Sequence, residues 1–137
     1  MPTPEIKQKL ITTALDVRKN AYSCYSNYNV GAALLSADGQ VFTGANVENA
    51  VYSLTICAER AAVASAVSQG QQEFEAIAVV TKDGGTPCGS CRQVLAEFSQ
   101  DILVIIADEK GKVLHELSVG ELLPITFNSN NLENSGA

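Results

Sequence analysis

Cys57-Ala58-Glu59-Arg60 precedes Pro87-Cys88-Gly89-Ser90-Cys91-Arg92 in this chain, and the second cysteine comes thirty-one positions after the first. The two stretches carry three thiols, one alone and two as a C-x-x-C pair. Three thiolates supply three of the four ligands of a tetrahedral zinc ion, whereas a closed structural site has four protein ligands. The pattern therefore predicts a zinc site that Cys57, Cys88 and Cys91 hold, with one position open to water or substrate.

Glu59 follows the first thiol by two residues, so its carboxylate is placed to move protons at that open position. Cys-x-Glu with a later Pro-Cys-x-x-Cys is the three-cysteine form of the zinc deaminase signature, in which an activated water attacks an amino-bearing ring carbon. We expect Glu59 to take a proton from water as a base. It then delivers protons, as an acid, to the ring nitrogen and the departing amine.

Other interpretations of these residues stay open. A structural zinc site needs a fourth ligand, but Cys24 is far upstream and His115 lies in a predicted surface strand. A disulfide within the C-x-x-C pair would leave Cys57 and Glu59 without a role. Glu59 could also be an ordinary solvated helix residue. We expect Cys24 to be a small buried hydrophobe and assign no role to His115.

Composition narrows the class of protein. The 137 residues are 46% hydrophobic and 18% charged, which favours one globular domain over 1–137. The net charge of −6 and the nine Lys and Arg residues argue against nucleic acid as a partner and favour a small uncharged substrate. The N-terminus lacks the apolar core of a signal peptide, and no apolar run is long enough to span a membrane. These features predict a cytoplasmic protein without a membrane partner.

Hydrophobic periodicity predicts a three-layer α/β/α fold with one mixed five-stranded sheet and helices on both faces. The predicted elements are a helix over 5–20, a hairpin of 29–35 with 41–46, a buried helix from 55 or 56 to 68, a strand over 76–81, a helix over 89–98, a strand over 102–107, an antiparallel strand over 112–116 and a short helix over 118–122. The polar tail over 128–137 is expected to be mobile unless a partner holds it.

Both ligand stretches fall at predicted helix starts. Cys57 is expected in the first turn of the second helix, and Cys88 and Cys91 flank the start of the third. Zinc with three thiolates has a formal charge of −1, which is unfavourable for activating water. The partial positive charge of helix N-termini offsets it, as would hydrogen bonds from Arg60 and Arg92 to sulfur. For Arg92 an external salt bridge is an equal alternative.

Beyond the metal motif, the chain resembles the cytidine deaminase family, in particular its small, homotetrameric, three-cysteine branch. Tyr25-Ser26-x-Tyr28-x-Val30-Gly31-Ala32-Ala33 is similar to the family's Tyr-Ser-x-Phe-x-Val-Gly-Ala-Ala. Asn46-Val47-Glu48-Asn49-Ala50 matches its Asn-x-Glu-Asn-Ala segment, and Glu121-Leu122-Leu123-Pro124 with Phe127 resembles its C-terminal motif. The resemblance spans roughly residues 5 to 127, with the motifs in the family's order.

The resemblance implies a role for each matching residue. The roles are zinc binding by Cys57, Cys88 and Cys91, proton transfer by Glu59, ribose binding by Asn46 and Glu48, contact with the base by Tyr28, by the Ala58 backbone and by Phe127 of a neighbouring subunit, and neutralisation of the thiolates by Arg60. Without the resemblance, Asn46, Glu48 and Asn49 would be turn residues at the hairpin exit. Tyr28 and Phe127 would then be core aromatics.

Two residues depart from the family pattern: Cys24 replaces a proline, and Tyr28 replaces a phenylalanine. The tyrosine brings a hydroxyl group that needs a hydrogen-bond partner if it is buried. The implied function is deamination of cytidine and deoxycytidine to uridine and deoxyuridine in pyrimidine salvage, with one zinc per chain in a homotetramer. One alternative is another aminopyrimidine nucleoside, such as a nucleoside antibiotic. A second is a silent, zinc-stabilised binding module, against which the intact Glu59 argues.

Overall fold

A computed structural model describes residues 1–135 of the chain. Five strands form one mixed sheet in the order β2-β1-β3-β4-β5, in which β3 and β4 are parallel and the other neighbours antiparallel. The strands are β1 (Gly31–Ser36), β2 (Val41–Ala45), β3 (Phe74–Val80), β4 (Leu103–Ala107) and β5 (Val113–Ser118). The helices are α1 (Pro4–Val17), α2 (Ala58–Ser68), α3 (Gly89–Phe98), α4 (Val119–Leu122) and α5 (Ser129–Ser135).

The two faces of the sheet form two separate cores. In β3, Ile77 and Val79 point to the face that α2, α3 and α4 cover, whereas Ala76 and Ala78 point to the face that α1 covers. This alternation follows from the two-residue period of a strand. The central strands β1, β3 and β4 are therefore apolar on both faces, as their continuous apolar runs predict. The predicted three-layer α/β/α architecture is confirmed.

Helix α2 differs from its prediction in two ways. It begins at Ala58, and Cys57 is its N-cap with extended backbone, so Cys57 lies just before the first turn and not within it. The helix also buries only one face, because it forms an outer layer of the fold: Ala62 and Ala66 are buried, whereas Val67 is exposed. The expectation of a helix buried all round was wrong.

The other elements lie close to their predicted positions, but three local features differ. The first helix ends at Val17 and continues as a 3-10 turn over Arg18–Asn20. Part of the predicted tail forms α5; the tail's last residues, 136–137, lie outside the described residues. Cys24 is exposed, so its predicted burial was wrong, whereas His115 is exposed as predicted. Within residues 1–135, no helix has the length and apolar character to cross a membrane.

Gly44 allows β2 and α2 to pack in direct backbone contact. A Cβ at this position would collide with the carbonyl oxygen of Ala58 and lie 2.5 Å from the backbone nitrogen of Ala62. We expect Gly44→Ala to lower the free energy of unfolding by about 1–3 kcal/mol, measured by denaturant titration, because α2 must move away from the sheet. Gly89→Ala is the control, since its Cβ would meet no atom within 4 Å. Equal unfolding midpoints for both variants would contradict this close packing.

Candidate metal centre and active site

The three cysteines of the sequence motif lie together between the starts of two helices. Cys57 caps α2, Cys88 caps α3, and Cys91 lies in the first turn of α3. The Sγ atoms of Cys57 and Cys88 are 3.9 Å apart, and those of Cys88 and Cys91 are 3.5 Å apart. Zn–S bonds of 2.3 Å in a tetrahedron place the sulfurs about 3.8 Å apart. The three thiols therefore fit one zinc ion, and none of them forms a disulfide.

Arg60 contacts the cluster directly, as predicted. One of its Nη atoms donates to Sγ of Cys57 at 3.5 Å and to the carbonyl oxygen of Thr55 at 3.2 Å. The neighbouring Cys91 thiol, together with the Arg60 guanidinium, lowers the pKa of Cys57 to about 5. The neighbouring Cys57 thiolate and burial raise the pKa of Cys91. The cluster thus favours a thiolate at Cys57 even without a metal, and Arg60 compensates its charge.

Arg92 does not contact the thiols, and it forms no salt bridge among the described residues. Its guanidinium donates to the carbonyl oxygens of Pro87 at 2.8 Å and Leu122 at 3.0 Å, and to Oγ1 of Thr86 at 3.3 Å. Both predicted alternatives for Arg92 were therefore wrong. The Arg92 side chain links the loop before Cys88 to the end of α4. These hydrogen bonds hold the backbone that carries Cys88.

Glu59 lies beside the thiols on the first turn of α2, with only 4% of its surface exposed. Burial raises the pKa of this carboxyl above its ordinary value. Glu59 is therefore not a solvated helix residue. It lines a cavity of about 300 Å³, here called the central cavity, together with Ser26, Tyr28, Val30, Asn46, Glu48, Thr55, Cys57, Ala58, Val79, Thr81, Gly85, Thr86 and Cys88.

Asn46 and Glu48 line this cavity and also organise its wall. The Asn46 side chain accepts from the backbone nitrogen of Val30 and donates to the carbonyl oxygen of Tyr28, each at 2.9 Å. The Glu48 carboxylate accepts from the backbone nitrogens of Tyr25 and Ser26 at 3.0 Å and from the Ser26 hydroxyl. Among residues 1–135, the second amide hydrogen of Asn46 and one acceptor position of Glu48 have no hydrogen-bond partner.

Tyr28 lines the cavity, and its hydroxyl has a partner that the sequence did not suggest. The hydroxyl donates to Oδ1 of Asp83 at 2.7 Å. Thr81 and Thr86 also line the cavity. Neither of them nor Asp83 was predicted as a site residue. The available signal was their position, because the loop that contains them leads directly into the C-x-x-C pair.

Phe127 does not line the central cavity of the single chain. The residue is 61% exposed, and its carbonyl oxygen accepts from Nε2 of Gln93 at 2.9 Å. It is therefore not a core aromatic. Ala58, by contrast, borders the cavity at the first position of α2, and its contact with a base stays a prediction.

Comparison with known proteins agrees with this geometry. Residues 4–107 match the family model of the cytidine and deoxycytidylate deaminase zinc-binding region. A cytidine deaminase from Halalkalibacterium halodurans is 47% identical over 129 residues, which cover 92% of this chain and 97% of that protein. One from Sporosarcina psychrophila is 45% identical over 91% of this chain and 93% of its own length.

A solved structure extends the likeness to the fold. The cytidine deaminase from Burkholderia pseudomallei superposes with a TM-score of 0.85 and 45% identity, over 92% of this chain and all of that one. The two proteins therefore share the fold that contains the mixed five-stranded sheet. The family's zinc-binding region covers all three clustered thiols. This chain therefore belongs to the cytidine deaminase family and is a zinc-dependent aminohydrolase.

Proposed function

We propose that the protein hydrolytically deaminates cytidine and deoxycytidine to uridine and deoxyuridine, with release of ammonia, in pyrimidine salvage in the cytoplasm. The observation that carries this proposal is the lining of one cavity: Cys57 and Cys88 of the three-thiol cluster, a buried carboxyl group, and two polar side chains that retain hydrogen-bonding capacity. Its volume of about 300 Å³ lies at the lower end of the range for small-molecule sites. The acidic chain also suits an uncharged substrate better than a phosphorylated one.

Catalysis then depends on Glu59. Zinc, when bound by the three cysteines, supplies an activated water as the nucleophile. Glu59 accepts one proton from the water and delivers it to the ring nitrogen. It then accepts the remaining proton of the added hydroxyl group and delivers it to the amine, which leaves as ammonia. Its burial excludes bulk water from the proton it carries, and its place on the rigid first turn of α2 keeps it beside Cys57. Arg60 holds the thiolate of Cys57 and compensates its charge.

The remaining polar groups bind the nucleoside. Asn46 and Glu48 fix the sugar hydroxyls through the amide hydrogen and the carboxylate position that the loop leaves unused. Tyr28 contacts the base on one side of the cavity, and the backbone at Ala58 positions it from the start of α2. Each of these side chains is already held by hydrogen bonds, so little ordering is required when the ligand binds.

Substrate choice tests this assignment of the sugar site. We expect cytidine and deoxycytidine to be deaminated with similar kcat. Free cytosine should be at least about tenfold worse in kcat/KM, because it makes no contact with Asn46 or Glu48. Ultraviolet absorbance follows all three reactions. Equal kcat/KM for cytosine and cytidine would contradict sugar binding, and a zinc-loaded protein inert toward every aminopyrimidine would support the silent binding module.

The same proposal includes a homotetramer. The segment from Val47 to Ile56 exposes several apolar side chains, among them Val51, Leu54 and Tyr52, the last at 75% exposure. Exposed apolar clusters of this kind indicate an interaction surface, and assembly would allow Phe127 to reach a neighbouring cavity. We expect light scattering to give a mass four times the 14.5 kDa of the chain. A monomeric mass at assay concentration would contradict both the assembly and the role of Phe127.

A further inference from the structure

Hydrogen bonds hold Tyr28 both at its backbone and at the hydroxyl of its side chain. Its backbone nitrogen donates to Oγ of Ser26 at 3.0 Å, and its carbonyl oxygen accepts from Asn46. At the far end of the ring, the hydroxyl donates to Oδ1 of Asp83 at 2.7 Å. Asp83 lies 55 residues further along the chain, so this bond joins two separate loops of the cavity wall.

The loop that carries Asp83 is shaped around this hydroxyl. A Cβ at Gly85 would lie 2.4 Å from the hydroxyl oxygen of Tyr28, so a larger residue there would displace the Tyr28 ring from its present position. The backbone nitrogen of Gly85 donates to Oγ1 of Thr81 at 2.7 Å, which closes the loop. Gly84 has a positive φ of 77° and turns the chain at the same point. The Tyr28 hydroxyl, the Asp83 carboxylate and the two glycines therefore lie together in one part of the cavity wall.

Packing alone does not fix the ring of Tyr28, because the residue is 37% exposed at the cavity. The bond from the hydroxyl to the exposed carboxylate of Asp83 gives the ring a directional restraint that apolar contacts on one side do not give. We propose that Asp83 is a positioning residue for the nucleoside, which acts by holding the Tyr28 ring in the cavity wall through its hydroxyl. This inference rests on the proposed function, since it concerns the same cavity.

A double-mutant cycle on the zinc-loaded protein tests the inference. The variants are Asp83→Ala, Tyr28→Phe and the double variant, with Asp83→Asn as the control that keeps an acceptor oxygen and removes the charge. Asp83→Ala is expected to raise the KM for cytidine and the Kd for uridine about threefold to tenfold, the worth of one hydrogen bond, with the effect on KM and not on kcat. Asp83→Asn should restore most of the loss.

The decisive comparison is the effect of Asp83→Ala in the Tyr28→Phe background. If Asp83 acts through the hydroxyl, the double variant should have the same KM and Kd as Tyr28→Phe. The shifts in unfolding temperature should be non-additive in the same way, and this readout needs no ligand.

The possible failures are distinguishable. Wild-type protein that turns cytidine over, with Asp83→Ala equally harmful in both backgrounds or harmless in both, would overturn this inference and leave the proposed function standing. Wild-type protein that neither converts cytidine nor binds uridine would overturn the proposed function, and this inference with it.

Discussion

Replacing Glu59 by glutamine is expected to lower kcat for cytidine by about 10²–10⁴-fold while zinc stays bound. Glutamine keeps the size and polarity of the buried side chain but cannot accept and release protons. Glu59 is no part of the thiol cluster, so the metal site should survive the change. Initial rates from ultraviolet absorbance, with zinc content measured on the same sample, check this prediction.

The chain offers a matched control for that experiment. Glu97→Gln makes the same chemical change on the exposed surface of α3, outside the central cavity, and should leave kcat within about twofold. A Glu59→Gln protein that retains zinc and wild-type kcat would contradict the role of Glu59. Loss of zinc in this variant would instead indicate that the carboxylate supports the metal.

The second large effect concerns the thiols. Cys88→Ser is expected to remove zinc on dialysis and to abolish turnover, because serine is a poor ligand for zinc compared with thiolate. Zinc that binds only the folded state stabilises it. The variant should therefore lose about 2.7–4.1 kcal/mol of apparent stability when free zinc is 100 to 1,000 times the wild-type Kd.

Cys24→Ser is the control for that variant. Cys24 is an exposed free thiol outside the cluster, so its replacement should change neither zinc content nor stability. Thermal unfolding with and without a chelator gives the comparison. A Cys88→Ser protein with one zinc per chain and unchanged stability would contradict the three-thiol site.

Much of the site could be predicted from sequence because its spacing is local. One helix turn brings Cys88 and Cys91 together, and both Cys57 and Cys88 lie at a helix start, as the apolar periodic segments after them indicate. The prediction placed Cys57 one position too far into the helix, because it precedes the first turn of α2. The central strands were equally predictable, since a strand such as Leu103–Ala107 is apolar on both faces.

What sequence could not predict depends on contacts between distant residues. The partner of Tyr28 lies 55 residues away, and Arg92 reaches a carbonyl oxygen 30 residues away. Nothing in the local pattern of either residue identifies such partners. The exposure of Val67 was missed for a related reason, because small apolar residues fit both a central helix and an outer one.

The most direct test of the central claim combines two quantities on one sample of purified protein: zinc per chain and the rate at which cytidine absorbance falls. The structure and the family predict about one zinc per chain, with cytidine converted to uridine at a rate that depends on that zinc. A folded protein that lacks zinc after expression in zinc-rich medium, or that contains zinc and leaves cytidine unchanged, would contradict the account.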